Sequence, residues 1–379
     1  MYEFPLPLAN ASNYPKPSIL ATASKHKCKL HWKTQANQSQ FAFEGVYTKN
    51  GRAAIATVAQ ALGLKAGDVI LLPEYFCPAM VEPFIWLGLD VKFYKLLSTL
   101  EMNQAHFEEL LTEKVKACLL VRYFGFSLDI KKSLMLAKKH GLLAIEDCAH
   151  SFFSQKVTIE DSTFDASICS PNKFFPCVDG GMYKLHTSNT TIAPKLPSNR
   201  NYKEEIKNVL NFIGLDNFLS KVKGLLTSKV KTLNTVEVNV STRLNENSYR
   251  YFEPSDMFSC CFKLTEWLVR TSAHQDISQA RVDNFKLLHN ELRNSPTGRS
   301  FLAFEKDTVP YVFPFLLNNS DDFHYIRSRG VQILRWEEFY STDNSDIESY
   351  RKQLIQIPCH QNLTKKEIMK MISIINKES

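Results

Sequence analysis

Residues 166–185 of the chain read ASICSPNKFFPCVDGGMYKL. The runs FDASIC (164–169) and GGMYKL (180–185) have the apolar and aromatic make-up of buried strands, and between them stand Ser170 and, three residues on, Lys173. A lone lysine is ordinarily a solvated surface charge. This one lies between two strands, shortly before Gly180 and Gly181, whose missing side chains let other atoms come close. What the rest of the chain brings to that place decides how Lys173 is read.

Upstream the strand character recurs in DVILLP (68–73), DVKFYKL (90–96), VKACLLVRYFG (115–125) and GLLAIEDCA (141–149). Between these runs, PAMVEPFIWLG, NQAHFEELLTE and DIKKSLMLAKKHG carry helical spacing or stop at a glycine. The alternation is β-α-β. It predicts an α/β fold with a mostly parallel sheet flanked by helices, and ligands outside the carboxyl ends of the strands.

After residue 185 the rhythm stops. YKEEIKNVLNFIGLDNFLSKVKGLLTSKVKTL (202–233) sets Val209, Phe212, Ile213, Phe218, Leu219, Val222, Leu225 and Leu226 at helical intervals among lysines. Such a face packs on its own domain or on a subunit partner, or lies on a membrane surface. From about 255 onward the pattern is that of a smaller α+β domain. Its expected parts are a long helix around 256–294, strands at VPYVFPFLL (309–317) and VQILRW (331–336), and a last helix opened by Thr364 and Glu367 at capping-box spacing. The expected organisation is an N-terminal extension over 1–42, a large α/β domain over 43–254 with a helical insertion around 200–235, and a small α+β domain over 255–379.

A chain of 379 residues exceeds the size at which one core stops growing, roughly 250–300 residues, which favours two domains. Hydrophobic content of 44%, charged content of 22% and sparse glycine and proline exclude disorder and fibrous repeats. The net charge of +7 is spread without a basic block, so it suits a phosphorylated or nucleotide-linked small molecule better than a nucleic acid. Nine cysteines at irregular spacing, two of them adjacent at Cys260 and Cys261, point to a reducing, cytoplasmic setting. The opening MYEFPLPLANAS lacks a basic start and an apolar signal core, and no apolar run reaches the roughly 18 residues of a membrane span. Stable membrane insertion is not expected. His26, Cys28 and His31 gather only three ligands among repelling lysines, so no metal is expected there.

The motifs carry more than the totals. IEDCAH (145–150) ends a strand, and in a parallel sheet Asp147 and His150 then face the ligand crevice; an acidic residue in that place is equally a helix cap. NGRAAIATVAQALG (50–63) opens a helix at Gly51, where first-turn N–H groups and the helix dipole suit an anion and Arg52 adds positive charge. A core helix with a surface arginine is the plainer alternative. In chain order these are an anion-binding helix start, an acidic strand end and a lysine after a strand. Pyridoxal 5′-phosphate requires such a set: N–H groups and hydroxyls for its phosphate, a carboxylate for its pyridine nitrogen and a lysine for its aldehyde. Ser170 adds a hydroxyl for the phosphate.

Here the chain resembles nucleotide-sugar aminotransferases of the DegT and StrS type, with the fold-type I pyridoxal-phosphate architecture. GRAAI and ALGLKAGDVILLPEYFCPAM are similar to the family's opening, and VRYFG, AKKHGLLAIEDCAHS and SPNKFFPCVDGGM follow in its order. LIQIPCHQNLTKKEI (354–368) looks like its C-terminal signature. The resemblance covers about 43–376 and is most specific over 141–182. It implies that Lys173 is the cofactor-binding lysine and proton carrier and that Asp147 is the partner of the pyridine nitrogen. It further implies that His150 lies near the phenolic oxygen, with Gly51, Arg52 and Ser170 at the phosphate.

The departures are specific. Arg52 replaces a small hydroxyl residue, and in PEYFCPAM the position that often stacks a ring on the cofactor holds Cys77, with Tyr75 and Phe76 beside it. Any of the three is a candidate for that contact. The loop that reaches a neighbouring subunit's phosphate has no clean counterpart; Asn247 and Arg250 are the nearest candidates. The resemblance implies a homodimer and a two-step transfer in which an amino acid, glutamate, gives its amino group to a nucleotide-linked keto-sugar in surface-polysaccharide or related amino-sugar biosynthesis. The rival readings are a lyase or dehydratase on the same fold and a non-catalytic regulatory relative. In the sugar 3-dehydratase branch, a histidine is expected where this chain has Lys173.

Overall fold

In the computed structural model, residues 42–153, 163–186, 251–306, 308–337 and 342–378 are described, together with 203, 205, 206 and 209. The HKCKLH segment, Asn247, Arg250 and nearly all of the basic helical insertion lie outside these residues.

VILLP forms a strand, β2 (Val69–Pro73), buried at every position, as a strand covered on both faces must be. Around it lie β1 (Val46–Thr48), β3 (Asp90–Tyr94), β4 (Val115–Val121), β5 (Leu143–Asp147), β6 (Ala166–Cys169) and β7 (Gly181–Leu185). They make a seven-stranded sheet in the order β1-β7-β6-β5-β4-β2-β3. The strands from β6 to β3 run parallel. β7 and β1 are added antiparallel at one edge. Connections between the parallel strands are α2 (Pro78–Trp86), α3 (Gln104–Glu109) and α4 (Ile130–Lys139), following α1 (Gly51–Ala61) after β1. α1 buries Ala53, Ala54, Ala56 and Ala59, and these small side chains let it lie close to the sheet.

The C-terminal part departs from expectation in two places. The single helix expected around 256–294 is instead a 3-10 turn (Pro254–Phe258), then α5 (Lys263–Thr271) and α6 (His274–Glu291). Ser272 is extended at φ −66°, ψ 147°, and its hydroxyl donates to the Leu268 carbonyl at 2.5 Å. A serine that bonds the backbone in this way competes with the helical ladder. VQILRW is not a strand. The three-stranded antiparallel sheet is built from β8 (Gly298–Ser300), β9 (Val312–Leu317) and β10 (Leu354–Pro358), and VQILRW joins it by one bridge, Leu334 to Gln356. Side chains hold that segment instead: Arg335 pairs with Glu337 and lies 3.9 Å over the Phe323 ring. α7 (Asp322–Ser328), α8 (Ser345–Gln353) and α9 (Lys365–Ile375) follow in the C-terminal part. The Thr364–Glu367 capping box is present at the start of α9. Buried apolar residues of both sheets belong to one continuous core.

Candidate active site

The carboxyl ends of β2, β4, β5 and β6 and the start of α1 enclose a cavity of about 240 Å³. Gly51, Arg52, Cys77, Asp147, His150, Ser170 and Lys173 all line it. Each arrives from a strand end or a helix start, as the parallel topology requires.

Tyr75 and Phe76 do not line it. Both rings turn into the core, Tyr75 stacked on Trp336 at 4.9 Å and Phe76 on Phe93 at 4.5 Å with 11° between planes. Burying two aromatic rings sets the rotation of the chain after β2. Cys77, at the cap of α2, is thereby the residue of the three left at the cavity wall.

At one end of the cavity Asn50 caps α1, its Oδ1 accepting the Ala53 N–H at 3.0 Å. The first-turn N–H groups of α1 have no acceptor within the helix, and the Arg52 guanidinium has no ion-pair partner among the described residues. A Cβ on Gly51 would come within 2.4 Å of the Ser170 hydroxyl oxygen, so that hydroxyl sits directly beside the helix start. A helix start, a hydroxyl and a guanidinium form a site suited to a phosphate.

The glycine pair has two separate reasons. Gly180 is at φ +115°, a backbone region that strongly favours glycine, and its N–H donates to the Lys49 carbonyl at 2.8 Å. Gly181 faces the backbone before α1, where a Cβ would stand 2.2 Å from the carbonyl carbon and oxygen of Asn50. The glycines thus let β7 press against the turn that presents the anion-binding end.

Asp147 closes β5, and its Oδ1 accepts the Ala149 N–H at 2.7 Å. Burial pushes its carboxyl above the usual range, while the Lys173 charge and the Ala149 N–H oppose that shift. Burial draws the Lys173 amine below its usual value, and the Asp147 charge opposes this. Each group thus favours the charged form of the other across the cavity. Lys173 stands on a 3-10 turn (Pro171–Lys173) anchored by Phe174 and Phe175, both fully buried. Phe175 packs edge-on against Phe152 at 4.8 Å and Phe174 against Phe153 at 5.7 Å.

His150 is stacked between Tyr311 at 4.6 Å and Phe124 at 6.0 Å. Its Nδ1 accepts the Phe124 N–H at 3.3 Å, which leaves Nε2 as the protonated nitrogen of the neutral ring. Burial, then the Lys173 charge, holds its pKa well below the usual histidine value. His150 is therefore a neutral donor at neutral pH.

Three participants were not identified from sequence. Asn50 carries a local signal, an asparagine directly before an apolar-periodic run. Trp336, which lines the cavity from the VQILRW segment, and Arg281, whose guanidinium reaches the Lys173 carbonyl, arrive through long-range packing with no local signature.

The fold that carries this cavity is shared with solved aminotransferase structures. Helicobacter pylori PseC, an aminotransferase of pseudoaminic acid biosynthesis, superposes with TM-score 0.62 over 89% of this chain and 86% of its own, at 14% identity. A Streptococcus pneumoniae structure described as a sugar aminotransferase in its PMP form gives 0.61 over 89% and 88%, also at 14%. A sequence profile described as the DegT/DnrJ/EryC1/StrS aminotransferase family matches residues 40–203 of the chain. Members of this family are pyridoxal-phosphate enzymes. GDP-perosamine synthase of Escherichia coli O157:H7 is 31% identical over 152 residues, 39% of this chain and 41% of that protein. A UDP-N-acetyl-3-dehydro-alpha-D-glucosamine 3-aminotransferase of Acidithiobacillus ferrooxidans is 29% identical over 171 residues, 42% and 44% of the two. The match thus spans less than half the length of these curated relatives. No described helix is long and apolar enough to cross a membrane, and the described cysteines are free thiols.

Proposed function

We propose that this chain is a pyridoxal 5′-phosphate-dependent aminotransferase that takes an amino group from an amino acid, glutamate, and delivers it to a keto-sugar carried on a nucleotide. The observation that carries the reading is the meeting of Lys173 and Asp147 in one cavity whose far end is the anion-binding start of α1. The residues fit the cofactor: Gly51, Arg52 and Ser170 would hold its phosphate, Asp147 its pyridine nitrogen, His150 its phenolic oxygen and Lys173 its aldehyde. When bound, the cofactor supplies an electron sink that lets a hydrogen beside the amino group leave as a proton.

The chain's own groups do the rest. Because burial lowers the pKa of Lys173, its amine loses a proton more readily than a surface lysine, so it can attack, accept a proton at Nζ and return it. Asp147 is an acceptor held in place by the Ala149 N–H, suited to keeping a proton on the ring nitrogen. His150 donates from Nε2 while Phe124 fixes its other nitrogen. Cys77, Met80 and Trp336 give the cavity an apolar wall.

The nucleotide sugars after which the two relatives are named support the acceptor class. The family resemblance extends the proposal to a cytoplasmic homodimer whose subunits share sites, which the mass in solution tests. For the reaction, the purified protein is expected to be yellow, with a visible band lost on borohydride reduction and absent in Lys173→Ala. Glutamate should bleach the band, and a screen of keto-sugar nucleotides should show 2-oxoglutarate formed in proportion to aminated sugar. A wild-type protein that takes up no added pyridoxal phosphate overturns the reading.

A further inference from the structure

Arg281 of α6 is 0% exposed, and no carboxylate among the described residues pairs with it. A charge in a dry interior is costly unless its donors are satisfied. Here backbone carbonyls and one amide satisfy them. Nε donates to Gln361 Oε1 at 2.9 Å, one terminal nitrogen to the carbonyls of Tyr311 at 2.9 Å and Pro310 at 3.3 Å, and the other to the carbonyl of Lys173 at 3.1 Å. The guanidinium also lies 4.6 Å over the Phe174 ring. Gln361 completes the arrangement, its Nε2 donating to the Phe174 carbonyl at 2.7 Å.

Two consecutive carbonyls, those of Lys173 and Phe174, are thus held from outside by α6 and by the segment before α9. The turn that carries Lys173 is one short 3-10 turn without a side-chain cap from Ser170. Such a turn has little rigidity of its own. Burial draws the Arg281 guanidinium down to about 10, which still leaves it charged at neutral pH.

We propose that Arg281, acting with Gln361, is a positioning residue that clamps the backbone of the Lys173 turn and so holds the ε-amine over the cavity, making the placement of that amine depend on packing of the C-terminal elements. The inference rests on the reading of Lys173 as the reactive amine. A merely structural Arg281 would support the core without affecting Lys173 more than any other lysine.

The test uses the full-length chain stripped of cofactor, in wild type, Arg281→Met and Gln361→Glu. Pyridoxal phosphate is added, bound lysines are trapped with borohydride at timed intervals, and peptide masses give the rate at Lys173 relative to the exposed Lys65. Circular dichroism and thermal midpoints establish which variants fold. In Arg281→Met the Lys173 rate should fall about ten- to a hundredfold, the scale for a misplaced reacting group, with Lys65 unchanged. Gln361→Glu keeps the acceptor for Arg281 Nε but sets a carboxylate oxygen against the Phe174 carbonyl, and a fall of about fivefold is expected on the same argument. Should Arg281→Met fail to fold, Gln361→Glu decides alone. Folded variants that label Lys173 at the wild-type rate overturn the clamp. Wild-type labelling of Lys173 no faster than Lys65 instead removes the underlying reading of Lys173, and the clamp with it.

Discussion

Asn50 ties Asp256 to the start of α1: its Nδ2 donates to the Asp256 carboxylate at 2.6 Å while its Oδ1 accepts the Ala53 N–H at 3.0 Å. The 3-10 turn beyond residue 253 therefore sets the orientation of the cap, and the cap sets where the first turn of α1 points. Asp256→Ala should release one side of Asn50 and cost about 1 kcal/mol of stability, the scale of a lost cap. Cofactor affinity should weaken by up to about tenfold, the equivalent of 1.4 kcal/mol, in absorbance titrations of the stripped protein. An unchanged affinity in a destabilised protein would confine Asp256 to folding.

Gly181→Ala tests the contact beneath the same turn. The added Cβ would meet the Asn50 carbonyl at 2.2 Å and the Gly51 nitrogen at 2.6 Å, both backbone atoms of a capped helix that cannot swing away. The expected loss is about 3 kcal/mol or more, at the upper end for overpacking, measured by denaturant unfolding. Gly141→Ala is the matched control. Its Cβ meets nothing within 4 Å, so only the strain of φ +68° remains, about 1–2 kcal/mol. Equal losses at the two positions would show that the close approach at Gly181 relaxes freely.

Those residues mark what local sequence can and cannot convey. Asp147, Ser170 and Lys173 were readable because their places follow from strand ends in a parallel sheet, a relation contained within a few residues. The orientation of Tyr75, Phe76 and Cys77 was not, since the chain's rotation after β2 is decided by rings it meets elsewhere, Trp336 and Phe93. VQILRW and LIQIP are similarly apolar, and which of them pairs with β9 is a long-range choice. Packing gave it to LIQIP through the register from Leu354↔Leu316 to Pro358↔Val312. The break before α6 depends on one serine hydroxyl turning back to Leu268. Periodicity alone does not reveal such a bond.

The opposed shifts of Asp147 and Lys173 make a signed prediction about pH. The Asp147 charge raises the Lys173 pKa against the lowering effect of burial. Asp147→Asn removes the raising part and keeps the burial, so the Lys173 amine should titrate lower still. In the stripped protein, the pH midpoint for acylation of Lys173 should therefore move down, with faster labelling at neutral pH. Stability has a sign as well. A lysine with a depressed folded pKa makes no contribution above its unfolded value near 10.5, and weakens the fold as pH drops through the interval to its folded value. Asp147→Asn should widen that interval. A midpoint that stays fixed or rises would mean that the two groups do not interact across the cavity.

Trp336 is, among the residues that line the cavity, the one that comes from beyond residue 173. It packs at once on Tyr75 at 4.9 Å and on His150 at 5.6 Å. No described strand or helix holds it, so its place depends on these rings and on the neighbouring Arg335–Glu337 pair. An indole on the cavity wall suits the C–H face of a sugar ring. Trp336→Ala should raise KM for the keto-sugar by about tenfold, the upper end of what an aromatic contact contributes, while cofactor affinity stays near wild type. Trp336→Phe keeps a ring of smaller area and should recover most of that loss. If both substitutions leave the acceptor KM unchanged but lower the thermal midpoint, the side chain supports Tyr75 and His150 and takes no part in holding the acceptor.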